Sequence, residues 1–485
     1  MLQKVSYWLI ESHWCLRAET GRGMLMNRTM DRRRFIAAAS LGVSATPPLI
    51  ESTYGTTLLF ERSDRRADAP FNVKVRNPLL RTPLSLIIDD SCPVINKAYY
   101  WIQQRHEWRL RNRPNSAPSG WEIHYDKLGQ MPNTVAASFA ARWGEWCGEQ
   151  GIRGKFSMIP FPAGMGRIDR GFPGFPDSEL SEWLRVVKEI IRPNFDLTPE
   201  MLTHTRVVDL KTWQLTEDWE QEEWADPPVE KLTEYIATAM QLLKNAGIAC
   251  EGVTSPGAFG KKKEGAYARA VLDASLRVNN NPRPFYFLHL ADDRMPDVPI
   301  WHAQREKGLA VASIVGCAGD WFGATGYDTA DADLFIAPDL QGGRVPAVLK
   351  QELPCVMVGH WPCFSVNDGV GFKVLKEVKR RLDRYDPDRT QTIWMKNSEI
   401  GHYWMARQLS SIKSQEGAVQ IETRFPATNF TLSIDVAARR VQVKGSDLRQ
   451  VQSRRDFRSG TFLVEDKQTL IAFDLPTGTT DLAVG

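Results

Sequence analysis

Short apolar runs alternate along most of this chain with longer stretches in which apolar residues recur every three to four positions. The short runs fall at 84–88, 156–159, 206–210, 249–253, 284–290, 310–315, 354–358 and 392–395. Helical periodicity occupies 135–149, 178–191, 229–245, 265–274, 372–384 and 398–411, and Gly247 sits just past the end of the third stretch, where a helix stop is expected. Runs that are apolar throughout predict strands covered on both faces. Strand and helix taken in turn this often predict a parallel sheet with crossover helices, most economically a (β/α) barrel over residues 83–411. After 411 the pattern changes. Segments 417–425, 430–436, 440–443, 461–464 and 469–475 alternate apolar with polar residues and have turn residues between them, which predicts a small C-terminal antiparallel β domain over 412–485. Residues 51–82 read as an irregular lead-in.

The first apolar run ends in Asp89-Asp90-Ser91-Cys92. Two carboxylates at the C-terminal end of a parallel strand stand where α/β folds bind ligands. Successive side chains of an extended segment point opposite ways, so one acid can hold a cation while the other handles a proton. The duller alternative is a cap or turn. Other strand ends add His204 and Thr205, then Thr254-Ser255-Pro256, then His289 with Asp292 and Asp293, then Asp320-Trp321, and finally His360-Trp361. Histidine and aspartate from separate strand ends suit zinc or a similar divalent ion. Two of them sharing one ion must approach within about 3–4 Å. His289, among Phe and Tyr neighbours, reads as structural.

Composition narrows the function classes. In 485 residues the charged fraction is 25% and the net charge +3, with Lys and Arg dispersed among acids, so no nucleic-acid partner is indicated. No apolar run is long enough to span a bilayer. Thr29-Met30-Asp31-Arg32-Arg33-Arg34-Phe35-Ile36 before a weakly apolar stretch predicts a twin-arginine-type leader over 1–50, hence export to the periplasm or beyond. Of seven cysteines, Cys355 and Cys363 could pair in an exported protein, but Cys92, Cys250, Cys317 and Cys355 lie in or at the ends of apolar runs and read as buried free thiols. Sixteen tryptophans, many in loop-like contexts, suit either sugar stacking or core edges.

The order Asp-Asp, His-Thr, Pro-containing loop, Asp-Trp and late His resembles the NodB-homology polysaccharide deacetylases over roughly residues 84–411. The resemblance implies a distorted, seven-stranded (β/α) barrel and metal-dependent removal of N- or O-acetyl groups from glycans, with zinc or a similar divalent ion as the cofactor. It implies Asp89 as general base, His360 as general acid, and Asp90 and His204 as metal ligands. The family's second metal histidine falls four residues after the first; here that position is Val208, with Asp209 beside it as the substitute ligand. The family's Arg-x-Pro loop reads Thr254-Ser255-Pro256. Pro256, Asp320, Trp321 and Trp361 are the expected substrate contacts. A metal-free glycosidase-like enzyme and a non-catalytic glycan-binding protein are the alternatives on the same scaffold.

Overall fold

The computed structural model describes residues 72–94, 110–111, 114, 134–220, 224, 227–289, 297–319, 321–322, 331–365, 369–415 and 417–485. The expected leader, and the lead-in as far as residue 71, lie outside the described residues. The chain forms β1 (Val73–Val75), β2 (Thr82–Ser91), α1 (Ala137–Glu149), β3 (Gly154–Met158), α2 (Asp177–Val186), β4 (Phe195–Pro199), β5 (Arg206–Asp209), β6 (Gln214–Trp219), α3 (Val229–Asn245) and β7 (Gly252–Thr254). Next come α4 (Glu264–Asn279), β8 (Phe285–Leu288), β9 (His302–Gln304), β10 (Leu309–Val315), α5 (Ala332–Phe335), α6 (Arg344–Leu349), β11 (Cys355–His360), α7 (Trp361–Ser365), α8 (Val370–Tyr385), β12 (Thr392–Trp394) and α9 (Asn397–Leu409). The tail is β13 (Ser411–Gln415), β14 (Ala418–Thr423), β15 (Ala427–Ile434), β16 (Val441–Val443), β17 (Ser446–Asp447), β18 (Arg449–Val451), β19 (Thr461–Glu465), β20 (Gln468–Leu475) and β21 (Gly478–Val484).

Every residue of β2 is buried, as a strand covered on both faces must be. It lies between β11 and β3, all parallel, with β4 beyond β3 and β12 also parallel to its first residues. β7, β8 and β10 form a second parallel set, edged by antiparallel β9. One parallel bridge, Glu200 to Thr254, joins the sets at one seam; at the other, Cys317 N donates to Val356 O at 2.8 Å. Among the described residues the ladders are therefore two parallel sheets tied at both seams, not one continuous closed sheet. Helices pack on them by their apolar stripes. α3 buries Leu232, Ile236, Met240 and Leu243 at three- and four-residue intervals against α4, each such side chain contributing about 1.5–3 kcal/mol.

Two predicted elements differ. The run at 206–210 is not a strand of the parallel sheets: β5 pairs antiparallel with β6 as a hairpin. The parallel strand in that part of the chain is β4, which its Asp196 and Thr198 disguise as polar. Both are buried because they are bonded: Asp196 accepts from Ser398 N at 2.6 Å and Ser398 Oγ at 2.8 Å, and Thr198 Oγ1 lies 2.8 Å from Thr254 Oγ1. The lead-in is not wholly irregular either, since β1 pairs antiparallel with β15. The tail forms two five-stranded sheets, β1-β15-β20-β19-β18 and β13-β14-β21-β16-β17. Val419, Ile421 and Leu482 from one share an apolar cluster with Leu432, Ile471 and Phe473 from the other, and the cluster extends to Phe285, Val356 and Trp404.

Candidate functional site

β2 stops behaving as a regular strand where its acids begin. Asp89 is still in register with His360 of β11, but the ladder to β3 shifts between Ile88 and Ser91, and Asp90 takes φ 62°. A left-handed backbone at a non-glycine residue costs about 1–3 kcal/mol and persists only where neighbours hold it. Here Asp90 N donates to Glu200 Oε2 at 2.7 Å. The irregularity splits the two side chains between two clusters.

The first cluster is charged and buried. Asp89 pairs with Lys155 from β3, and both side chains are fully buried. Lys155 Nζ also donates to Thr254 Oγ1 at 2.8 Å. Ser157 lies 3.2 Å from Asp89 Oδ1 and donates to Glu200 Oε2 at 2.6 Å. On the open side, His289 Nε2 lies 3.4 Å from Asp89 Oδ2, and the rings of His289 and His360 are parallel with centroids 5.9 Å apart. Burial alone pushes Asp89 up, but the Lys155 ammonium, with help from His289, outweighs it and holds the carboxyl well below its ordinary range. Asp89 is therefore a buried anion whose outward oxygen meets an imidazole that is 27% exposed.

The second cluster is Asp90, Glu200 and His204. His204 Nε2 lies 2.8 Å from Asp90 Oδ1 and 3.2 Å from Glu200 Oε1, within the approach that one shared ion requires. Burial lowers the His204 pKa, but the two carboxylates win and raise it well above the ordinary histidine value. His204 itself has φ 61° and Met201 φ 43°, a strained turn whose backbone N–H groups converge on one carboxylate. The Glu220 carboxylate, just past β6, accepts from the backbone N–H of Leu202 (3.2 Å), Thr203 (2.8 Å) and His204 (2.6 Å), and from the Tyr235 hydroxyl (2.5 Å). Burial pushes Glu220 up to about 7 against those bonds.

Two carboxylates and one imidazole form a donor set fit for a divalent ion such as zinc. In each cluster the candidate ligand atoms (Asp90, Glu200 and His204; Asp89, His289 and His360) all lie within 4.8 Å of one another. The Asp90 cluster is the better cation site, because an ion on Asp89 would sit beside the Lys155 ammonium.

The remaining expected residues are placed differently. Asp209 is exposed at the hairpin turn, accepting from Lys211 N (2.8 Å) and Thr212 N (3.0 Å); it is not with Asp90 and His204. Trp361 is fully buried against Trp143, Phe139 and Phe156, so it is core and cannot stack on a sugar. Pro256 is buried in the turn after β7. Trp321 is half-buried, edge-on to Phe335. Asp320, Asp292 and Asp293 lie outside the described residues. Lys155 and Glu200 did not stand out in the sequence. Lys155 lies just before the apolar run at 156–159, and Glu200 lies between the runs that the pattern picks out.

No family model matches the chain, and no curated protein matches it. Solved structures similar to it include a proposed polysaccharide deacetylase from Mycobacterium smegmatis, at 12% identity and TM-score 0.31 over 62% of this chain and 83% of that one. A mutant of a CE4 family pseudoenzyme is similar at 9% identity and TM-score 0.27 over 67% and 69%. An endo-β1,6-glucanase is similar at 8% identity and TM-score 0.27 over 85% and 94%. Likeness at this level carries no functional weight, which leaves the side chains to speak for the chemistry.

Proposed function

We propose that this protein is an exported, metal-dependent hydrolase of acylated glycans, built on a distorted (β/α) barrel of the deacetylase kind with a C-terminal β domain. The observation that carries the reading is the convergence of Asp90, Glu200 and His204 beside a second, proton-handling cluster. Asp90, Glu200 and His204 would hold the ion. When bound, it supplies a Lewis acid for an ester or amide carbonyl. His289 would take up the proton, and Asp89, kept ionised by Lys155, would orient that imidazole and stabilise its charged form through Oδ2. His360, in register with Asp89, delivers a proton to the leaving group. Lys155 supplies the positive charge beside Asp89 in a chain whose Pro256 loop has Thr254 where the resembled family has arginine.

A second reading follows from the same trio without an ion. A charged His204 between two carboxylates satisfies itself, and the scaffold would then serve as a glycan-binding protein. Metal analysis of the freshly purified full chain, followed by acetate release from acetylated glycans with zinc added, separates the two. The hydrolase reading expects near-stoichiometric divalent metal, lost in Glu200→Gln and His204→Ala, and acetate release lost with it. Metal at background level, with no acetate released after zinc is added, overturns it.

A further inference from the structure

All six cysteines among the described residues are buried. Two of them are neighbours across a seam of the fold. Cys317 follows β10, Cys355 opens β11, and their sulfur atoms lie 3.4 Å apart although 38 residues separate them in sequence. This is the seam where the two parallel sheets meet without a ladder, and the Cys317 N to Val356 O bond of 2.8 Å fixes the backbones on both sides. Arg344 adds a second brace by donating from Nε to Cys317 O at 2.7 Å. The sequence favours a buried thiol for Cys355 and allows a pair with Cys363; the structure sets it against Cys317.

We propose that Cys317 and Cys355 form a disulfide that staples the seam between the two parallel sheets when the chain meets a disulfide oxidant. The sulfurs need to close by roughly 1.3 Å to reach bonding distance, a shift within the reach of side-chain rotation on a backbone already held in place. The chemistry is two successive exchanges. One cysteine thiolate attacks a sulfur of glutathione disulfide, or of a thiol oxidase's disulfide, and expels one thiolate. The other cysteine thiolate then attacks the cysteine sulfur of that mixed disulfide and expels the second. The two cysteines lose two electrons and two protons, and the oxidant leaves as two thiols. The hydrogen bond from Cys317, with burial, pushes the Cys355 thiol well up, so exchange runs slowly in the closed fold and readily while the seam is open during folding. The linked loop is long, so most of the stabilisation falls on the unfolded chain.

The test uses the full chain, refolded from denaturant in a glutathione redox mixture, alkylated and digested without reduction. It is independent of the metal site and of export, since the oxidant is supplied. Mass spectrometry should find one peptide pair joined through Cys317 and Cys355, lighter by about 2 Da than the two reduced peptides together. Adding dithiothreitol should lower the Tm of the oxidised protein by about 5 °C and leave that of Cys317→Ala unchanged. Recovery of Cys317 and Cys355 both alkylated after oxidative refolding overturns the proposal, as does a link from Cys355 to Cys363. The peptide map needs only the wild-type chain, so it decides the matter even if the variant does not fold.

Discussion

Replacing Lys155 by Met tests the electrostatics of the site directly. Met is close to Lys in length and apolar, and Lys155 Nζ already sits 4.9 Å from the centre of the Phe287 ring, so the stem has somewhere to pack. What the substitution removes is the ammonium beside a carboxylate with no solvent access. Breaking a buried pair by removing one partner costs about 3–5 kcal/mol. Ser157 at 3.2 Å and His289 at 3.4 Å still face Asp89, which places the cost near the lower end, at about 3 kcal/mol. The sign with pH is the stronger test. In the wild type the Asp89 pKa is depressed, so its contribution is present above the unfolded value of about 3.9 and is lost only as pH falls below that. Without Lys155, burial outweighs what His289 and His360 still offset, and the folded pKa rises. Stability then falls with rising pH above about 4, by about 1.4 kcal/mol per unit until the raised pKa is passed. Urea denaturation followed by tryptophan fluorescence, in EDTA at pH 5 to 8, measures both effects. Adding Asp89→Asn should recover about 2 kcal/mol, because no buried charge is left uncompensated. A loss below about 1 kcal/mol, or a pH profile parallel to the wild type, would refute the assignment of Lys155 as the counter-charge of Asp89.

Three further outcomes are expected. Glu220 is raised from 4.5 to about 7, so its share of stability is full below 4.5 and is lost as pH rises towards 7; Glu220→Gln should flatten the fall in Tm between pH 5 and 7 by removing about 1.4 kcal/mol per pH unit. Trp361→Ala should cost about 3–5 kcal/mol in denaturant titration through the cavity left among Trp143, Phe139 and Phe156, and reduced glycan binding without that loss would contradict its place in the core. Asp209→Asn, at an exposed turn, should change stability by no more than about 0.5 kcal/mol and leave metal content as in the wild type; loss of metal would return Asp209 to the ligand set.

The acids at the end of β2 were legible because an apolar run stopped abruptly at them. Their partners were not, and the reason lies in side-chain parity. Lys155 and Ser157 alternate with Phe156 and Met158 on β3, and Asp196 and Thr198 alternate with Phe195 and Leu197 on β4. Both strands therefore have one apolar and one polar face, and the polar faces are buried by bonding to Asp89, Glu200, Thr254 and Ser398. A search for wholly apolar runs passes over such strands. Once β4 is placed, parity carries Asp196 and Thr198 forward to Glu200, which lands beside Ser157 and Asp90. In the proposed ion site the four-residue spacing missing at Val208 takes another form. The spacing is met upstream, from Glu200 to His204, and the i,i+4 pair faces Asp90 only because the turn between them is bent through Met201 and His204 and tied to Glu220. The hairpin of β5 and β6 places the residue that holds that turn. Val208 needs no ligand role, and it is buried as an ordinary apolar residue of β5.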